Sequence, residues 1–299
     1  MKLAAIDIGS NAARLLISEA SPNSIGEMDF TKVNLVRVPL RLGFDVFTNN
    51  SISEKKAEHL INTIKAYKLL LDVYEVKYLK ACATSAMRDA ANGNQLLQEV
   101  RTQTGVDIKI ISGQEEASYI YENHVAEHMD KTKSYLYIDV GGGSTELTLF
   151  SGTRLIFKES FNIGTIRLLQ QQVPDTAWQQ MKDFLKVQLK NIGPVIAIGS
   201  GGNINKIFSL SKRKEGKPLS LELLKDYYKE FSNFSVGERI HLYNLREDRA
   251  DVIVPALQIY VNVMRWADAA EIYVPKIGLA DGLIQALYRE IALPTIADQ

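Results

Sequence analysis

The chain has only one cysteine, Cys82, in 299 residues. An internal disulfide is excluded, which suits a reducing compartment. Long hydrophobic runs are also missing. The apolar stretches are a few residues each, against the ~18 that a bilayer span requires, so no membrane association is expected. Charge of one sign is not in excess: Lys+Arg and Asp+Glu number 35 each. Without a global field, general nucleic-acid binding is not expected, and an anionic ligand must be held by local charge and backbone dipoles. The N-terminus opens on a strand pattern rather than a signal peptide. Low-complexity segments and solenoid periods are lacking as well. What remains is a chain with 46% hydrophobic residues, long for one core and natural for two. It reads as a soluble cytoplasmic protein.

One pattern occurs twice. The first copy is Ala5-Ile6-Asp7-Ile8-Gly9-Ser10-Asn11 followed by Arg14-Leu15-Leu16-Ile17. The second is Tyr137-Ile138-Asp139-Val140-Gly141-Gly142-Gly143-Ser144-Thr145 followed by Glu146-Leu147-Thr148-Leu149. Asp7 aligns with Asp139, Gly9 with Gly141 and Leu15 with Leu147. Each copy is an apolar strand, an acidic residue, a turn of small residues and a departing strand. Such turns expose N–H groups that cradle phosphate, and the strand-end carboxylate suits a hydrated cation.

Strand and helix patterns alternate, which argues for α/β architecture. Ser51 and Glu54 read as a capping box opening the first helix, with Ala57, Leu60, Ile61, Ile64 and Leu71 at helical spacing. Strands are expected at 77–83 and 107–111, and a helix at 95–104 stopped by Gly105. Another helix should run from Ser112 to about His128. The second half should hold strands near 135–140, 146–150, 155–161, 195–198 and 271–274. Helices are expected at 175–191, after 203, through much of 221–266 and at 279–291. A charged connection at 127–133 marks the first domain boundary. Domains are expected at 1–130 and 131–282, with a closing helix about 283–299 packing back on the first.

A third small-residue turn, Gly199-Ser200-Gly201-Gly202-Asn203, follows a strand and precedes a helix whose dipole favours an anion. Glycines after strands are commonly only turns, but three such turns, two of them in a matched repeat with Asp, point to a phosphate site. None carries a dinucleotide fingerprint or a P-loop. Asp7, Asp139 and Glu146 lie at or beyond strand ends beside these turns. Carboxylates with waters are the usual Mg²⁺ shell, and hydrolytic phosphoryl transfer calls for such an ion. Glu146 on a solvated strand face is the plain alternative. Of Glu115 and Glu116, one can cap its helix while the other serves as a general base for water. Arg88 is placed to fork onto phosphate oxygens or to pair with Asp89. His124 and His128 have zinc-compatible spacing without a third ligand. Tyr119, Tyr121, Tyr227 and Tyr228 read as core or interface residues. Lys212, Arg213, Lys214 and Lys217 form a basic loop, either solvated or tracking a long polyanion.

These motifs resemble the exopolyphosphatase/guanosine pentaphosphate phosphohydrolase family of the actin-like superfamily. The resemblance is carried by 6–11, by Ala83-Thr84-Ser85-Ala86-Met87-Arg88, by Ile111-Ser112-Gly113-Gln114-Glu115-Glu116-Ala117, by 138–147 and by 198–203. It implies two ribonuclease-H-like domains, each a mixed sheet flanked by helices, with a cleft between them. It implies Mg²⁺-dependent release of the terminal phosphate from inorganic polyphosphate or guanosine pentaphosphate, and a homodimer. By position, Glu116 would be the base and Asp139 and Glu146 the metal ligands. Arg88, Ser10, Asn11, Gly141, Gly142, Ser144 and the 199–203 turn would hold phosphates, with Gly143 and Thr145 in the same loop. Longer relatives carry an extra helical domain and a further C-terminal domain, so this chain resembles a short form. It departs from the family pattern at Ala12, at Gly202-Asn203 and at Ala280-Asp281. Two readings from other classes stand beside this one: a non-catalytic polyphosphate or alarmone sensor, and an actin-like kinase or ATPase.

Overall fold

Apolar runs in the first 20 positions and a more exposed third strand build an antiparallel meander. Its strands are β1 (Lys2–Ile8), β2 (Ala13–Pro22) and β3 (Met28–Val38). The computed structural model describes residues 1–24, 26, 28–124, 130, 132–152, 154–275 and 278–292. The chain divides into two compact units, Met1–Asn123 with Ile277–Gln299, and His124–Lys276.

The first unit continues with α1 (Leu42–Asn49), α2 (Glu54–Val73), β4 (Tyr78–Ala83), α3 (Ser85–Asp89), α4 (Gly93–Thr104), β5 (Lys109–Ile110) and α5 (Gly113–His124). Its sheet has the order β3-β2-β1-β4-β5. β1 is antiparallel to β2 and parallel to β4, so the sheet is mixed. One helix of this unit comes from the end of the chain. Its apolar residues Leu279, Leu283, Ile284 and Leu287 bury against Leu3, Ala5, Leu16 and Cys82 of the sheet. Each buried side chain of that size contributes about 1.5–3 kcal/mol before ordering entropy is subtracted. Tyr67 of α2 is buried, and its hydroxyl donates to the Ala13 carbonyl at 3.0 Å. This pins α2 beside the β1–β2 turn.

The second unit runs β6 (Ser134–Val140), β7 (Thr145–Ser151), β8 (Arg154–Phe161), α6 (Thr165–Leu169), α7 (Asp175–Leu189), β9 (Val195–Ser200), α8 (Gly202–Leu210) and β10 (Leu219–Ser220). It closes with α9 (Leu221–Ser232), α10 (Val236–Tyr243), α11 (Glu247–Ala250), α12 (Ile253–Trp266) and β11 (Glu271–Tyr273); the terminal helix is α13 (Leu279–Ala292). The second sheet has the order β10-β11-β9-β6-β7-β8 and is also mixed. α12 is apolar almost all round and lies in the core with Leu136, Ile138, Leu147 and Ala197. Pro255 sits in its first turn, where no intrahelical N–H bond is lost. The α/β class with two mixed sheets flanked by helices is as expected. Among the described residues no helix is long and apolar enough to cross a membrane.

Some local expectations change. α2 is capped from Ser53, not Ser51, and the Ser53 hydroxyl turns to Asp45 at 2.5 Å. α1, α6 and the long strand β3 are further elements. β5 is two residues long rather than five. The position of His128 lies outside the described residues.

Candidate active site

In the first unit the predicted residues gather at the carboxyl ends of β1, β4 and β5, where ligands bind in open α/β sheets. Gly9 N–H donates to the Ala12 carbonyl at 3.0 Å and closes the first turn. Its carbonyls point inward: Arg41 N–H donates to Asn11 O and Gly43 N–H to Ser10 O, both at 2.8 Å. The start of α1 therefore backs this turn. The buried Ser10 hydroxyl lies 2.8 Å from that of Ser85 at the head of α3, joining the first turn to the β4–α3 turn. Arg88 donates from NH1 to the Ile111 carbonyl at 3.1 Å and keeps a loose 3.6 Å ion pair with Asp89. The pairing with Asp89 is thus present, and the bond to Ile111 O brings the guanidinium to the residue before Ser112.

Ser112 and Glu115 form the capping box of α5. Ser112 N–H donates to Glu115 Oε2 at 2.9 Å, and Glu115 N–H donates to Ser112 Oγ at 3.1 Å. The Ser112 N–H bond, helped by Lys109 at 2.9 Å, pulls the Glu115 carboxyl down to about 2. Glu115 is thus the capping glutamate and too weak a base to take a proton from water. Glu116, half-buried in the same turn, has its backbone N–H on Ser112 O at 3.0 Å. Burial pushes the Cys82 thiol up, and the charges of Asp7 and Glu116 add to the effect, so Glu116 lies within electrostatic reach of the β1–β4 strand ends. A carboxyl lowered on folding stabilises above its ordinary range and loses that contribution as pH falls through the folded value. The stability gap between wild type and Glu115→Gln is therefore expected at full size at pH 7. It should close between about pH 4 and pH 2, as read from urea midpoints.

The second unit repeats the hairpin. Gly141 N–H donates to the Ser144 carbonyl at 2.9 Å. Thr165 and Ile166 N–H groups donate to Gly141 O (3.0 Å) and Gly142 O (2.9 Å). Arg167 Nε donates to Gly143 O at 2.7 Å. With three carbonyls drawn to one side, the turn presents its amides on the other. Among the described residues the N–H groups of Gly142, Gly143 and Ser144 donate to no protein group. Co-oriented free amides of this kind suit an anion. The Thr145 hydroxyl donates to Ile163 O at 2.5 Å, so it braces the loop.

Sheet register explains the charges. Opposed residues project to the same face. In the first unit Asp7 faces Arg14 across β2 and Cys82 across β4, and Arg14 faces Arg37. In the second, Asp139 faces Glu146 across β7 and Ser200 across β9, and Glu146 faces Ser160. Asp7 is buried and bonded to Arg14 NH1 at 2.5 Å. Its carboxylate is thus neutralised from within the hairpin, and a metal role fits it poorly. The equivalent pair in the second unit is two carboxylates. Glu146 is buried and accepts from Ser144 Oγ at 2.5 Å and Ser160 Oγ at 3.1 Å, both on Oε1. Adjacent carboxylates on one face fit a hard divalent cation with oxygen ligands. Among the described residues no group of three or more His, Cys, Asp or Glu side chains is placed to hold a metal, so the remaining ligands would be waters or substrate oxygens.

The third turn is built around Asp139. Gly201 has φ +106°, and a Cβ there would stand 3.2 Å from Asp139 Oδ1. Only glycine suits both conditions. Tyr260, fully buried, donates to Ser200 O at 2.5 Å; burial, with the Asp139 charge beside it, drives its hydroxyl well above the ordinary range. Arg249 donates to the Gly202 carbonyl. Gly202 and Asn203 open α8, whose N-terminal dipole faces the turn. Positions 280 and 281 serve the fold. Ala280 is buried under the first sheet, and Asp281 accepts from Gly278 N–H at 2.8 Å and pairs with Lys32 at 2.6 Å.

Sequence patterns do not single out Ser160, Arg167 or Arg249. Each reaches its turn through register or a helix start, with no spacing signal. The side chains of His124 and His128 lie outside the described residues.

The sequence model of the Ppx/GppA phosphatase family matches residues 23–290. A putative exopolyphosphatase of Haemophilus influenzae is 24% identical over 99% of this chain and 94% of its own length. A bifunctional 3-dehydroquinate synthase/phosphatase of Fusobacterium nucleatum is 29% identical over 81% of this chain, which spans 35% of that longer protein. Among solved structures, the Aquifex aeolicus member of the Ppx/GppA protein family is similar with a TM-score of 0.75 and 26% identity, over 97% of this chain and 98% of that one.

Proposed function

The chain belongs to the Ppx/GppA phosphatase family, and on that premise we propose that it hydrolyses phosphoanhydrides, releasing the terminal phosphate of inorganic polyphosphate. The observation that carries this reading is the second-unit turn. Three consecutive outward N–H groups stand on the strand end that also bears the facing carboxylates Asp139 and Glu146. An anion cradle beside a cation-seeking pair is the machinery that phosphoryl transfer uses. The exopolyphosphatase label of the Haemophilus influenzae relative supports polyphosphate as the substrate.

In this reading the amides of Gly142, Gly143 and Ser144 and the 199–203 turn hold phosphate oxygens. Ser144 commits its proton to Glu146, so the loop meets phosphate through backbone N–H rather than through that hydroxyl. The family resemblance adds Ser10, Asn11 and Arg88 as further phosphate contacts. Asp139 and Glu146 would hold Mg²⁺, which would offset charge on the phosphate oxygens. Glu116 takes a proton as water oxygen bonds in line to the terminal phosphorus. The bridging P–O bond breaks, leaving orthophosphate and a chain one unit shorter. Glu116 is assigned because its neighbour Glu115 is spent on the cap.

The test is phosphate release by the purified protein from medium-length polyphosphate and, separately, from guanosine pentaphosphate. Release requiring Mg²⁺ is expected, and the faster substrate identifies the activity. Asp139→Asn should raise the Mg²⁺ concentration for half-maximal rate by about tenfold or more. An unaltered Mg²⁺ dependence would remove Asp139 from the cation site. Binding of both compounds without release of phosphate from either would mean a sensor.

A further inference from the structure

One short segment, residues 160–167, holds both Glu146 and the 141–145 turn of the second unit. Ser160, at the end of β8, donates to Glu146 Oε1 at 3.1 Å. Ile163 O receives the Thr145 hydroxyl at 2.5 Å. Thr165 and Ile166 N–H groups hold Gly141 O and Gly142 O, and Arg167 Nε holds Gly143 O at 2.7 Å. Gly164 lies so close beneath the turn that a Cβ would meet Gly142 O at 2.3 Å. From these contacts we infer that Ser160 and Arg167 are positioning residues with separate tasks: Ser160 orients Glu146 for the divalent cation, and Arg167 holds the glycine turn amide-outward for phosphate.

The two tasks follow from the geometry. Ser144 and Ser160 converge on one carboxylate oxygen, which fixes the carboxylate plane and hence the direction of the other oxygen. Outer-shell partners of this kind set ligand orientation and basicity. Arg167 does something different. A carbonyl and the next amide belong to one peptide plane and point in opposite directions. Clamping Gly143 O behind the turn therefore directs Ser144 N–H to the front. The clamp is a guanidinium, and a charge-assisted bond is about twice as strong as a neutral one. Neither side chain need touch substrate.

This inference rests on the reading of the turn as a phosphate cradle and of Asp139–Glu146 as a cation pair. Titration calorimetry of the full chain with MgCl₂ alone, and with inorganic phosphate alone, keeps the two questions apart. Ser160→Ala should weaken Mg²⁺ about tenfold and leave phosphate within about twofold; Ser160→Thr should restore Mg²⁺ binding. Arg167→Met should weaken phosphate about tenfold and leave Mg²⁺ nearly unchanged, with Arg167→Lys intermediate. A merely structural role would weaken both ligands together in both variants, and that result, or no change in either, overturns the proposal while leaving the site reading intact. If the unmodified protein binds neither ligand, the site reading falls and the proposal falls with it. Should Arg167→Met fail to fold, Arg167→Lys and the Ser160 pair still decide the outcome.

Discussion

Glu116→Gln is expected to fold normally, to bind phosphate like the parent, and to release it about 10²–10⁴-fold more slowly, the usual scale for a lost general base. The lower bound corresponds to about 2.7 kcal/mol of transition-state stabilisation. Two features make the effect specific to this residue. Glu115 cannot substitute, because its carboxylate is bonded to Ser112 and Lys109 and held near 2. The helix itself should be indifferent, because its cap is made by Ser112 and Glu115. The paired variant Glu115→Gln should show the opposite pattern, a weaker fold with most of its turnover retained. Single-turnover phosphate release with circular dichroism and phosphate titration separates the two. Full activity in Glu116→Gln would remove it from the base role.

The second large effect is structural. In Gly164→Ala the new methyl would stand 2.3 Å from Gly142 O and 2.4 Å from Gly143 C. Both obstacles are backbone atoms of the 141–144 turn, which hydrogen bonds from Thr165, Ile166 and Arg167 already hold. Relief requires the turn to lift or α6 to withdraw, and either breaks bonds from Thr165, Ile166 or Arg167. A loss of about 3 kcal/mol is expected, seen as a fall of roughly 8 °C in melting temperature. Inorganic phosphate binding should weaken with it. Gly237→Ala is the contrast. A Cβ there meets nothing within 4 Å, and the site lies in helix α10. That change should stabilise slightly, by up to about 1 kcal/mol. If Gly164→Ala melts with the parent, the close approach does not constrain the turn.

The parts of this site legible in the sequence are those encoded locally. The two Asp–Gly hairpins stand out because strand, acid, turn and strand follow one another directly. The Ser112–Glu115 box is legible by its three-residue spacing. The supports are not. α1 starts after Arg41 at φ +53° with no side-chain cap, and α6 is five residues long behind Gly164. α6 is too short to show a helical period, and the two turns of α1 open without a capping signal. Arg14 is visible beside the first turn, but only strand register places it against Asp7, and the same register places Glu146 against Asp139. Ser160 and Arg249 lie 14 and 47 residues from the groups they hold, distances over which pattern carries no information.

The one reversed sign between the hairpins, Arg14 against Glu146, bears on how the molecule comes apart. Like charges directly opposed across two strands cost stability, whereas opposite charges there gain it. The β1–β2 end is closed by its own ion pair, while the proposed cation site makes the β6–β7 end depend on what the solution supplies. Under chelator, protection of backbone amides against deuterium should therefore fall first around residues 139–146 and persist around 7–14. With a cation between Asp139 and Glu146 as proposed, the duplicated hairpin would have one end stable on its own and one whose rigidity follows the ion content of its surroundings.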